Sequence, residues 1–368
     1  MTSQLKIAIA AGGTGGHIYP ALALGEKLRS DFNCDVDFLC GERELELGIY
    51  AAAGEKPIVF PARQIGGGIT SKLTGGLSAF ANVYRAMRLC SKNDYQAVIG
   101  MGGYVAGPAV LGAFLSRRAT AIHESNAIPG RTNRILAPLV TLTAVHFPGT
   151  SKYMKMRRGV VVGMPIRDAV LHGDKVEALR TLNLQSNVPV LLIIGGSQGA
   201  KKLYDTVLAA LPLLDAKLST PWQILWSTGK NNRDSIVAAL RDMEFGQLDV
   251  VVLPYIERMD LALAAADVAL ARAGSSSMAE LLSNKIPAVY VPFPAAIYDH
   301  QTVNAQAAVS AGAGELLPEA NLTAEILAEK LDYLCSQQVR PLIDLPTGLD
   351  SSGAAARLAA EIVGLVRI

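Results

Sequence analysis

The chain is short of charge and of cysteine, and it has no long apolar run. Only 18% of its 368 residues are charged and the net charge is +2, with a pI near 8.3, so no overall excess points to nucleic acid. The four cysteines, Cys34, Cys40, Cys90 and Cys335, have no C-x-x-C spacing, which argues against a zinc motif and fits reduced thiols in a cytosolic protein. No apolar stretch approaches the length of a bilayer crossing, and segment 5–11 is too short and glycine-bounded for a signal peptide. These absences predict a soluble or peripheral protein. Two phosphate-binding fingerprints are also missing: the glycines at 12–16 fail the G-x-G-x-x-G spacing, which falls on Ile18, and the Lys and Ser/Thr of a P-loop are not there.

Half of the residues are hydrophobic, as expected of buried parallel strands, and 38.8 kDa suffices for two domains. Strand and helix signals alternate in βαβ fashion: a strand over 5–9, a helix to about 30, a strand over 36–40, a helix around 42–53, and strands over 57–60, 97–100, 119–123 and 160–162. The theme restarts with strands over 188–194, 223–226, 250–253, 268–271 and 288–291. A breaker-rich linker over 340–348 precedes a last helix, about 352–366, placed to return to the first domain.

The most informative stretch follows the first strand: Gly12-Gly13-Thr14-Gly15-Gly16-His17. Glycines let backbone N–H groups approach a ligand, and the helix that begins there offers unpaired donors and a positive dipole end, which suits a phosphate. His17 adds a side chain able to move a proton near neutrality, and its place at a helix N-terminus predicts a lowered pKa. A second glycine loop, Gly100-Met101-Gly102-Gly103-Tyr104, ends the strand over 97–100. A third, Gly195-Gly196-Ser197-Gln198-Gly199, precedes Lys201 and Lys202.

In the second half, Arg272-Ala273-Gly274-Ser275-Ser276-Ser277-Met278-Ala279-Glu280 again reads as strand end, small residues and helix start. A carboxylate at Glu280 can accept from a ribose diol, or merely compensate the helix dipole. Gln301 and Asn304 lie three apart and are candidates for sugar hydroxyls. The D-x-D string Asp35-Val36-Asp37, a metal-holding pattern elsewhere, sits at the start of a strand, away from the strand ends where ligands bind. No metal site is expected there.

Taken with His123-Glu124-Ser125-Asn126 and His300-Gln301-x-x-Asn304-Ala305, the ordered glycine loops resemble the MurG family. These are bacterial transferases that move N-acetylglucosamine from UDP-N-acetylglucosamine to undecaprenyl-pyrophosphoryl-N-acetylmuramoyl-pentapeptide. The resemblance spans nearly the whole chain. It implies a GT-B α/β fold of two facing Rossmann-like domains with parallel sheets and a deep cleft, and inverting β-1,4 transfer with neither cofactor nor metal. It also implies peripheral attachment to the cytoplasmic face of the cell membrane, in peptidoglycan synthesis, and no nucleic-acid partner.

The expected domains are 1–163 plus about 349–368, facing acceptor and membrane, and 164–348, binding the donor. Matched residue by residue, Thr14, Gly15, Gly16, Asn126, Arg167, Ser197, Ile256, Ser275, Ser276, Ser277, Met278, Ala279, Glu280 and Gln301 would hold the sugar nucleotide. Gly102, Gly103 and Tyr104 would meet the acceptor. His17 is the first choice for the catalytic base and Glu124 the next. The chain has Met164 and Ser125 where the family usually has Asn and Gln.

A stripe of Leu73, Leu77, Phe80, Tyr84 and Met87, with Lys72, Arg85 and Arg88 nearby, suits anionic headgroups or a buried core; Phe114, Leu115, Arg117 and Arg118 repeat the combination. Alternatives are another GT-B lipid glycosyltransferase, a UDP-N-acetylglucosamine epimerase, or a non-catalytic sugar-nucleotide sensor.

Overall fold

The computed structural model describes residues 4–61, 69–195, 200–336, 345–346 and 348–366. Side chains at 69–79 and at 297 lie outside the description, as does most of the linker expected over 340–348.

Two all-parallel sheets account for the apolar runs. The first contains β1 (Lys6–Ala11), β2 (Asp35–Cys40), β3 (Ile58–Val59), β4 (Ala97–Gly102), β5 (Ala119–Glu124), β6 (Leu142–Val145) and β7 (Gly159–Val161), in the order β3-β2-β1-β4-β5-β6-β7. The second contains β8 (Val190–Ile194), β9 (Trp222–Ser227), β10 (Leu248–Leu253), β11 (Val268–Ala271), β12 (Ala288–Tyr290) and β13 (Gly314–Leu316), in the order β10-β9-β8-β11-β12-β13. Central strands are buried along almost their whole length, β8 as Val-Leu-Leu-Ile-Ile, because helices cover both faces. In both sheets the strand order reverses beside the first strand of the unit, between β1 and β4 and between β8 and β11. In such sheets the crevice at the carboxyl ends of these strands is where ligands bind.

The chain divides into one unit of residues 1–167 and 351–368 and another of 168–350. On one face of the first sheet, Ile18, Leu22, Leu24 and Leu28 of the helix Gly15–Phe32 share a core with Leu358, Ala359, Ile362 and Val363 of the helix Ala354–Val366. On the other, Ala86 and Cys90 pack with Val105, Ala106, Ala109 and Ala113 of the helix Gly103–Leu115.

Residues 162–167 stay with the first unit because three side chains hold them. His123 Nε2 donates to Gly163 O at 2.9 Å, Ser351 Oγ accepts from Met164 N at 3.0 Å, and Arg357 donates to Val162 O. Met164 is fully buried, so an apolar side chain fits where the family usually has Asn. Asp35 and Asp37 lie at the start of β2, as expected, where Lys6 pairs with both and Tyr95 donates to Asp37 at 2.6 Å.

Candidate active site

At the first switch point the two glycine loops touch through their backbones. Gly12 N donates to Gly102 O at 3.4 Å, and a Cβ on Gly103 would stand 2.1 Å from Gly12 O. The strand expected to end at residue 100 runs on through Gly102, which has φ +123, and the chain turns into the next helix at Gly103, with φ +79. Both conformations favour glycine. His17 lies against this junction: a Cβ on Gly102 would be 2.4 Å from its Cδ2.

His17 Nδ1 lies 3.0 Å from Gly12 O. A carbonyl only accepts, so Nδ1 carries the proton of the neutral ring and Nε2 keeps the free lone pair. Burial lowers the His17 pKa from its ordinary 6.5, partly offset by Gly12 O and by the charges of Glu124 and Glu46. The direction agrees with the sequence reading, and loss of water is its largest cause. The ring is thus neutral and proton-accepting at neutral pH.

Glu124, at the end of β5, is buried and saturated with donors. Its Oε1 accepts from Asn126 N at 3.0 Å and Asn126 Nδ2 at 3.4 Å; its Oε2 accepts from Gly130 N at 3.0 Å and Asn133 Nδ2 at 2.8 Å. The carboxylate therefore fixes the 124–130 loop and the place of Asn126. Behind it, His123 and His146 are buried with pKa values lowered by desolvation to about 4 and about 3. Arg167 stacks over the Tyr19 ring at 4.9 Å, within the same unit as Thr14, Gly15 and Gly16.

Sequence reasoning missed Glu46. It lies in the helix Glu44–Ala52 and is 0% exposed. Its carboxylate accepts from Gly13 N at 2.9 Å, Gly41 N at 2.7 Å and Tyr104 OH at 2.7 Å. Its one sequence signal is an acidic residue in a first turn, which reads equally well as dipole compensation.

In the second unit, Ala271 ends β11 and the helix Ser275–Ser283 begins after Gly274. Ser275, Met278 and Ala279 are buried, so they offer backbone and packing, while Ser276, Ser277 and Glu280 are partly accessible. Ile256 is buried as well, which leaves its backbone as the group to offer. Gln301 Oε1 accepts from Phe293 N at 2.9 Å. Asn304 departs from the expectation of a sugar contact: it is fully buried and its Nδ2 donates to Ala273 O at 3.3 Å. The helix turns it inward, where its amide ties down the loop after β11. Arg272 is likewise engaged, pairing with Glu319 at 2.6 Å and donating to Val291 O and Pro292 O. Ser197 lies outside the described residues. Among the described residues, no group of three or more His, Cys, Asp and Glu is placed to hold a metal ion.

The chain matches the glycosyltransferase family 28 N-terminal domain over residues 7–145 and the family 28 C-terminal domain over 190–344. It is 36% identical over 359 residues to the UDP-N-acetylglucosamine--N-acetylmuramyl-(pentapeptide) pyrophosphoryl-undecaprenol N-acetylglucosamine transferase of Alkalilimnicola ehrlichii, covering 96% of this chain and 97% of that one. A relative of the same name from Caldanaerobacter subterraneus is 33% identical over 341 residues, 90% of this chain and 92% of its own. The chain belongs to the MurG family. The crystal structure of Acinetobacter baumannii MurG superposes with a TM-score of 0.75 at 27% identity, covering 98% of this chain and 99% of that one. Within the MurG family's GT-B fold, the strand order of each sheet is thus accounted for; Thr14, Gly15 and Gly16 follow β1 and residues 275–280 follow β11, at the two switch points, whereas Asn126, Ile256 and Gln301 follow other strands.

Proposed function

We propose that the chain transfers N-acetylglucosamine from UDP-N-acetylglucosamine to the 4-hydroxyl of the muramoyl sugar of undecaprenyl-pyrophosphoryl-N-acetylmuramoyl-pentapeptide, with inversion. Beyond the family relationship, the observation that carries this reading is His17: a neutral imidazole with Nδ1 tied to Gly12 O and Nε2 free, at the switch point of the first sheet. Nε2 takes the acceptor hydroxyl proton as that oxygen bonds to the anomeric carbon. The bond from that carbon to UDP breaks, and the electron pair leaves with the diphosphate.

In this reading Gly102, Gly103 and Tyr104 meet the acceptor. Glu124 acts by ordering the loop that presents Asn126, since its oxygens are already filled with donors. The first turn of the helix Ser275–Ser283 and Glu280 hold the nucleotide, with Ile256 and Gln301, while Thr14, Gly15, Gly16, Asn126, Arg167 and Ser197 complete the donor contacts. The unit 1–167 with 351–368 would be the acceptor half and 168–350 the donor half. Incubation with labelled UDP-N-acetylglucosamine and the lipid-linked muramoyl acceptor tests this directly. Label in the lipid product supports it, while free sugar, an epimer or binding without turnover overturns it.

The same reading places the first unit at the cytoplasmic membrane face as a peripheral protein. Phe80 is 78% and Tyr84 59% exposed, with Arg85 and Arg88 exposed on the same helix, Leu115 exposed at the end of the helix Gly103–Leu115 that packs against it, and Arg117 exposed just beyond; Leu73 and Leu77 fall where side chains are not described. The units also differ in charge. Residues 1–167 and 351–368 contain 21 Lys and Arg against 11 Asp and Glu, whereas 168–350 contain 13 against 21. No acid occurs between Glu124 and Asp168. A basic unit with exposed rings suits an anionic bilayer surface. No described helix is long and apolar enough to cross a membrane.

Flotation should therefore recover the protein with phosphatidylglycerol vesicles and not with phosphatidylcholine alone. Joint replacement of Phe80 and Tyr84 by Asp should weaken binding about tenfold or more. Equal flotation of that variant would remove the surface from consideration.

A further inference from the structure

The strand order β3-β2-β1-β4 sets the carboxyl ends of β2, β1 and β4 side by side, and Glu46 reaches all three. Gly41 follows β2, Gly13 follows β1, and Tyr104 follows β4 in the first turn of the next helix. All three donate to the one carboxylate, at 2.7, 2.9 and 2.7 Å. The packing leaves no slack, since a Cβ on Gly41 would fall 1.9 Å from the Tyr104 hydroxyl and one on Gly12 would fall 2.8 Å from Glu46 Oε2. Arg43 lies over the outer side of the Tyr104 ring, 5.1 Å from its centroid. The residue before Gly13, Gly12, is the one whose carbonyl holds His17 Nδ1.

We propose that Glu46 is a positioning residue for the transfer step, its carboxylate locking the loop that leads into the helix bearing His17 to the helix that carries Tyr104. The proposal rests on the transferase reading above. Holding three strand ends in register would keep the base and the acceptor loop at a fixed separation, and misplacement on the order of 1 Å costs about a hundredfold in rate.

A carboxylate also does what an amide could not. Burying one is costly unless donors meet it, and three do here. Its charge opposes the loss of water at His17, whose charged and titratable neighbours are Glu124, Glu46 and the neutral His123, and so supports the imidazolium that forms when the proton arrives. The same charge helps burial hold the Cys40 thiol up at about 12.

Glu46→Gln tests this, with kcat, KM for UDP-N-acetylglucosamine and the pH profile of kcat/KM as readouts. The expected result is a kcat about 10- to 100-fold lower, a KM close to that of the parent, and an acid limb moved to lower pH because a charge near His17 is gone. Tyr104→Phe removes one of the three bonds, so the double variant should lose far less than the product of the two single losses. Parent-like kcat with an unmoved acid limb, or losses that multiply fully, overturns the proposal.

If Glu46→Gln does not fold, Glu46→Asp keeps the charge and draws it back. It should lose kcat while keeping the acid limb, and parent-like kcat in that variant overturns the proposal. Turnover retained by His17→Ala would remove the base assignment alone, because the coupling between Glu46 and Tyr104 is read with His17 intact.

Discussion

Replacing His17 with alanine should lower kcat for transfer to the lipid-linked acceptor about 10²- to 10⁴-fold and leave UDP binding nearly unchanged. The asymmetry follows from the geometry. In the proposed mechanism His17 supplies Nε2 for proton removal, whereas the nucleotide would be met by the backbone N–H groups of Gly15 and Gly16, which alanine at 17 leaves in place. The acid limb of kcat/KM for the unaltered enzyme should lie below the ordinary histidine value of about 6.5, because burial disfavours the protonated ring. Above that limb the base is neutral and activity is full; as the pH falls through it the ring protonates and activity is lost. Full turnover by the alanine variant would exclude His17 as the base.

Gly103→Ala should be the most damaging single methyl addition to the first unit. The residue has φ +79, and the new Cβ would meet backbone oxygen rather than a movable side-chain tip, 2.1 Å from Gly12 O. Either the two glycine loops part or the sheet end deforms. Such strained clashes cost about 3 kcal/mol or more. Thermal unfolding should show a clear loss of stability, and whatever folded protein remains should have little transferase activity, since the separation moves Gly12 and with it His17. Gly48→Ala is the control: nothing lies within 4 Å of its Cβ position, and its melting temperature should be unchanged or raised. Equal behaviour of the two variants would contradict the close approach.

The α/β grammar was legible because buried parallel strands are apolar along their length; the Val-Leu-Leu-Ile-Ile of β8 needs no partner to be recognised. The short strands β6 and β13, of 4 and 3 residues, carried no such signal, and they become strands by pairing with β5 and β12. The glycine loops and His17 were legible because their residue types have few other uses together. Glu46 was not, since Glu-Leu-Glu-Leu at a helix start looks like a solvated turn, and only the arrival of Gly13, Gly41 and Tyr104 from distant parts of the chain makes it interior. Asn304 misled for the converse reason: its spacing from Gln301 suited a ligand-facing pair, but the helix turns it into the core. The two domains were legible from the restart of the strand, glycine turn and helix pattern at 188–194, whereas the GT-B assignment came from the ordered set of motifs.

The helix Ala354–Val366 gives the chain an order of assembly. The body formed by residues 168–350 is an insertion within the other, so the ribosome finishes it before delivering the last wall of the first sheet. Until then Ile18, Leu22 and Leu24 lack Leu358, Ile362 and Val363, and the nascent chain carries an uncovered apolar face through the synthesis of more than 180 residues. Loss of the helix Ala354–Val366 would thus be felt at the helix Gly15–Phe32, whose first turn carries His17.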